Sequence, residues 1–153
     1  MRRMRPLAVV GVMVIGIVAA NASVAGSAPD LRPKTLVLVQ SAPEVAFVDL
    51  DGAGPTAGDV LIFRSRLFDE SGAELVGDLH VTCTQTIGPE NLCRGIFTIT
   101  GRGQLSVDAL PVFPQPVVGI VNGGNGMFSR SRGEVEIEPQ ADGTTLLTFH
   151  LFS

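Results

Sequence analysis

From Val60 to Phe152 the chain repeats one pattern: runs of six to ten residues with apolar side chains at alternate positions, separated by short polar, mostly glycine-containing breaks. The breaks include Asp69-Glu70-Ser71-Gly72, Gly88-Pro89, Gly101-Arg102-Gly103 and Asp142-Gly143. A period of two places successive side chains on opposite faces of a strand, whereas a helix would need apolar residues three and four apart. No segment beyond the first thirty residues shows that helical spacing convincingly. Short strands with a turn about every ten residues read as an antiparallel sandwich or barrel, here of seven to nine strands.

The strands are expected at Thr35–Gln40 and, after an interruption at Pro43, at Val45–Leu50. Asp51–Asp59 is a loop with three glycines and a proline. Further strands follow at Val60–Phe68, Glu74–Thr86, Leu92–Thr100 and Gln104–Leu110, then an irregular connection with Pro111, Pro114 and Pro116. Val117–Val121 and Glu134–Glu138 flank two Asn-Gly steps, Asn122-Gly123 and Asn125-Gly126, which predict a tight hairpin turn because such turns require positive φ. Thr144–Phe152 is the last strand. If Cys83 lies opposite Cys93, then Val81 faces Gly95 and Leu79 faces Phe97, on one apolar face. The same odd-numbered preference recurs at Leu105, Val107, Val135, Ile137, Leu147, Phe149 and Leu151. These faces must meet in a sandwich core or a closed barrel lumen.

The first residues have another character. Arg2, Arg3 and Arg5 precede an uncharged apolar run of 14 residues, Leu7–Ala20, followed by small residues with breaks after Ala22, Ala25 or Ala28. That is the layout of a signal peptide, and the run is shorter than the roughly 20 residues of a membrane span. The expected organisation is a signal peptide over 1–28, a tether over 29–34 and one domain over 35–153, secreted and without stable membrane association after cleavage. Removing the leader takes three arginines and no acid, leaving 8 basic against 15 acidic residues, a net charge of −7. Such a surface repels phosphate backbones, so nucleic acid is not an expected partner. In an exported chain the two cysteines, Cys83 and Cys93, are expected to form a disulfide; a free thiol or half a metal site is the alternative.

Catalytic motifs are sparse. There is no nucleophile elbow, no HExxH and no phosphate loop with Lys-Ser/Thr, and no cofactor or metal is expected. Asp49, Asp51 and Asp59 match only a fragment of a calcium loop and read as a solvated acidic loop. Arg64 and Arg66 share one strand face, and Asp78, His80 and Thr82 share a face of the next. They are either an exterior charged face or a polar patch at a cavity mouth. Asp78 and His80 are the catalytic candidates, since imidazole is the side-chain type that titrates near neutral pH.

Gly58–Phe152 resembles the allene oxide cyclase/dirigent superfamily, in particular its small exported bacterial members. The residues that carry the resemblance are Gly58–Phe63, Val76-Gly77-Asp78, Gly103-Gln104-Leu105-Ser106-Val107, Ile120–Phe128 and Arg132-Gly133. The resemblance implies an all-β, eight-stranded antiparallel barrel related in shape to lipocalins, with an apolar lumen, and a possible homotrimer. It implies cyclisation or stereocontrolled coupling of a largely apolar molecule. Two functions are thus expected: a dirigent-like barrel that binds a small apolar ligand and steers its reaction, or an isomerase or cyclase using Asp78, His80 or Arg132. A structural barrel is the third possibility. Arg132 matches the Arg of the dirigent A-R-G pattern and is the expected polar anchor of a ligand. Phe63, Phe97 and Phe149 would contact the ligand or, if they fill the lumen, exclude it. Where dirigent proteins often carry a pocket acid this chain has Met127, and on the first strand, where plant cyclases carry Glu, the polar residue is Gln40.

Overall fold

The computed structural model describes residues 34–152. The expected signal peptide and all but the last residue of the tether lie outside the described residues. Within them no helix is long and apolar enough to cross a membrane.

The described residues form nine strands: β1 (Lys34–Gln40), β2 (Glu44–Val48), β3 (Val60–Phe68), β4 (Leu75–Gln85), β5 (Asn91–Ile99), β6 (Gly103–Ala109), β7 (Val117–Gly124), β8 (Arg132–Pro139) and β9 (Thr145–Phe152). From β2 to β9 each strand pairs antiparallel with the next, and β1 pairs with both β9 and β3. This closes the sheet. β1 meets the C-terminal end of β3 (Gln40↔Leu67), whereas β2 meets its N-terminal half (Glu44↔Arg64 to Val48↔Val60). β1 and β2 are therefore one barrel strand broken at Ser41–Pro43, and the barrel has eight. Pro43 cannot donate to a ladder. Ser41 bridges the break: its N–H donates to the Arg66 carbonyl at 3.0 Å, and its Oγ accepts from the Arg66 N–H at 3.0 Å.

The β4–β5 register is the expected one, with Cys83↔Cys93, Val81↔Gly95 and Leu79↔Phe97. The cysteines form a disulfide, both buried on the inward face. Odd-numbered side chains of β4 to β6 and of β9 point inward, and Leu105, Val135, Leu147 and Phe149 have essentially no exposure. A one-residue slip would turn that whole set to water.

The Asn-Gly stretch departs from expectation. β7 runs through Asn122-Gly123 to Gly124. Ser106 pairs with Gly123 and Val107 with Val121, so Asn122 is the extra residue of a β-bulge. The chain reverses over Asn125–Ser131 instead, around a 3-10 turn, Gly126–Phe128. Asn125 has extended φ (−131°) and acts as a clamp. Its Oδ1 accepts from the Gln104 N–H at 2.8 Å, and its Nδ2 donates to Gln104 Oε1 at 3.0 Å. Side-chain hydrogen bonding rather than positive φ places Asn here. The longer reversal folds Phe128 into the barrel end, where it is 4% exposed under the Arg102 guanidinium, 5.2 Å from the ring centroid.

Candidate functional site

The opposite end of the barrel is hollow. A cavity of about 410 Å³ opens between the C-terminal ends of β1, β4, β6 and β8 and the N-terminal ends of β3, β5, β7 and β9. That volume lies in the range of small-molecule sites. Inward residues from these strands make its walls: Leu61 and Phe63, Leu79 and Val81, Cys93 and Phe97, Val107 and Ala109, Val117, Ile137 and Leu147. Gly95 opens the wall between Val81 and Phe97. A Cβ there would come within 3.3 Å of the Phe97 ring and 3.4 Å of Leu79 and Val81.

Two aromatic pairs bound the space. Phe97 meets Phe149 edge to face at 5.1 Å, and Phe149, fully buried, supports the floor from below. At the mouth Phe113 meets Phe63 edge to face at 6.5 Å. Phe113 belongs to the Pro-rich connection between β6 and β7, which lies across the opening with Pro111, Pro114 and Gln115 also lining it. Neighbouring connections are tied to one another. Asn91 donates its N–H to the Pro111 carbonyl at 3.0 Å, and Gly58 donates to the Gln85 carbonyl at 2.9 Å.

Three polar side chains line the cavity: Gln40, Gln115 and Thr145. Among the described residues, no Asp, Glu, His, Lys or Arg does. The lining can therefore orient a molecule and exclude water, and it offers only amide and hydroxyl hydrogen bonds.

The sequence-derived site residues are spread over three places. Phe63 and Phe97 are in the cavity wall, with Phe149 beneath it. Asp78 and His80 are on the outer face of β4. Asp78 Oδ1 lies 3.2 Å from Arg64 Nη2 and 3.6 Å from Arg66 Nη1, and exposed His80 stands opposite Arg64 and Ile96. Arg132 begins β8 at the closed end, exposed, with Nη1 donating to the Ser131 carbonyl at 2.9 Å. The structure brings none of these three polar groups to the cavity. Gln40 and the Phe113 loop are at the cavity instead. The three prolines signal an irregular connection, but local sequence does not say which way it folds.

The Asp49, Asp51 and Asp59 carboxylates gather within 4.8 Å of one another. They are occupied in shaping the loop. Asp49 accepts from the Gly52 and Gly54 N–H groups, and Asp51 from that of Ala53. The sequence reading of a solvated loop misses Asp59, which is 1% exposed. It accepts from the Leu50 N–H at 2.9 Å and the Thr56 N–H at 2.7 Å. These two backbone donors hold its pKa below the ordinary carboxylate value. On the outer wall Arg94 forks onto Asp108 at 2.8 and 3.1 Å, which lowers the Asp108 pKa and raises that of Arg94.

No protein-family model matches the sequence, and no curated protein matches it. Solved structures do. Pyocyanin demethylase aligns over 77% of this chain and 99% of its own, at 24% identity and a TM-score of 0.68. The pterocarpan synthase dirigent protein PsPTS1 aligns over 78% of this chain and 92% of its own, at 15% identity and a TM-score of 0.56. The Diels Alderase AbmU from Streptomyces koyangensis aligns over 77% and 69%, at 16% identity and a TM-score of 0.54. The fold is thus a barrel that pyocyanin demethylase, a dirigent protein and a Diels Alderase share, and the eight-stranded barrel is the one the sequence resemblance implies.

Proposed function

We propose that this protein is an exported barrel that holds a small, largely apolar molecule in its lumen and steers that molecule's coupling or cyclisation. The cavity carries this reading. It combines apolar walls, aromatic rings at floor and mouth, and polar groups limited to two amides and a hydroxyl. Such a site lowers a barrier by fixing one conformation and excluding water, without moving a proton itself. A dirigent protein and a Diels Alderase share the fold, and a cycloaddition needs no proton transfer. Phe63 and Phe97 are the ligand-contacting rings in this reading, and Phe149 backs them. The buried disulfide is compatible with export.

A second reading, an enzyme that turns over its bound metabolite, is favoured by the demethylase, whose length the barrel spans almost entirely. Native mass spectrometry of protein recovered from the medium of producing cells tests both and also reads the oligomeric state. The expected spectrum carries a small-molecule adduct that is absent from Ala109→Phe, a substitution placing a ring inside the cavity. Protein free of adduct that also binds no apolar probe would overturn the binding function. Turnover of the released molecule by purified protein would select the enzyme.

A further inference from the structure

Gln40 is the one long polar side chain that is both buried and on the cavity wall. It ends β1, just before the break at Ser41–Pro43, and is 7% exposed. Its carboxamide is held at one end only: Nε2 donates to Ser65 Oγ at 3.0 Å, and Ser65 is itself buried on the inward face of β3. No hydrogen bond to Gln40 Oε1 is found among the described residues. No buried side-chain oxygen or nitrogen is left unpaired among them either, so Oε1 is open to the cavity. Thr145, directly opposite Gln40 in the β1–β9 register, lines the same stretch of wall. Gln115 is at the exposed mouth. The cavity's polar character is therefore concentrated at Gln40, and the surrounding wall residues Pro43, Leu61, Phe63 and Leu147 offer no hydrogen bonds.

A guest that fills the cavity displaces water from Oε1, and that oxygen is left unsatisfied at a cost unless the guest itself supplies a donor. Resting on the binding function argued above, we propose that Gln40 is the specificity-determining anchor of the lumen, with Oε1 accepting a hydrogen bond from a hydroxyl or N–H of the ligand. The ligand class is then an uncharged, mainly apolar molecule with one donor group at the end that enters toward β1 and β3. Carboxylates are disfavoured, because no cation among the described residues lines the cavity and an amide oxygen repels them. Ser65 is a positioning residue: its Oγ holds Nε2 at 3.0 Å, the arrangement that turns Oε1 toward the ligand.

The test uses two probes of nearly one shape, naphthol and its methyl ether, the second lacking the donor. Binding is followed by probe fluorescence with the whole mature protein. Wild type is expected to prefer naphthol about tenfold, the upper end of one net hydrogen bond. In Gln40→Leu the preference falls to about one or reverses, since the hydroxyl is then buried without a partner. Ser65→Ala provides a second variant should Gln40→Leu fail to fold. It releases the amide, and the preference falls to about threefold or less on the same scale. If wild type binds both probes equally, or if Gln40→Leu keeps the preference, the anchor is wrong and the cavity function stands. Preference for the ether also overturns the anchor as assigned. If wild type binds neither probe, the cavity function fails and the anchor with it.

Discussion

The two ends of this barrel are built from the same alternating strands and reach opposite outcomes. At the closed end the reversal after β7 turns Phe128 inward, and Phe128, Phe149, Leu105 and Val135 pack with 4% exposure or less. At the open end Val45 and Phe113, which both line the cavity, keep 57% and 48% of their surface in water, and the lumen below them is hollow. Apolar groups at the closed end stabilise the fold by leaving water. Those at the open end contribute little that way. Their position around a cavity mouth gives them a different use, contact with a guest. Stability and binding are thus divided along the barrel axis.

The largest expected effect tests that division directly. Phe149→Ala removes the ring that supports the cavity floor and should cost about 3–5 kcal/mol in urea denaturation. Phe113→Ala, at the mouth, should cost under about 1 kcal/mol while weakening binding of an apolar probe. Comparable losses for the two would mean that the mouth belongs to the core, and the division would not hold.

The disulfide belongs to the open end, nearer the mouth than the Leu79–Phe97 and Val81–Gly95 pairs, with Cys83 fully buried and Cys93 lining the cavity. Its ten-residue separation closes a short loop, so replacing both cysteines by Ala should cost at most about 3 kcal/mol. A reductant should destabilise the wild type by a similar amount and leave the double variant unchanged. If the reductant has no effect on the wild type, the bridge does not contribute to either end.

Alternation, which is local, made the strands, their register and the inward face readable from sequence. Val81 opposite Gly95 follows once Cys83 is set opposite Cys93, because every strand position is then fixed. The two ends were harder to read. Asn125-Gly126 looks like a hairpin turn, but the bulge at Asn122 and the hydrogen bonds of Asn125 to Gln104 depend on β6 already being alongside. The same holds at the cavity. Gln40 is an ordinary strand residue in sequence, and its burial arises only when β1 closes against β3 and Ser65 comes within reach. In sequence Asp78 and His80 are a polar pair of catalytic types, yet even-numbered positions on β4 turn outward in the register that buries Leu79 and Val81.

The smallest effect is a difference in pH response. Asp59, beside the open end, holds the β2–β3 loop through the Leu50 and Thr56 N–H groups, which lower its pKa in the folded state. A carboxylate whose folded pKa is depressed contributes stability above the unfolded value, about 3.9, and loses it as pH falls through the lower folded value. Stability should therefore decline only below about pH 4 on this account. Asp59→Asn should flatten part of that decline, measured by urea denaturation along an acid series. The cavity responds differently. Its described lining contains no group that titrates near neutrality. Affinity for an uncharged probe should stay constant from about pH 5 to 9, a window that spans the ordinary histidine pKa. A sigmoidal change of affinity inside that window would require an ionising group in contact with the guest. Binding would then be electrostatically tuned, and the open end would differ from the closed one in charge as well as in packing.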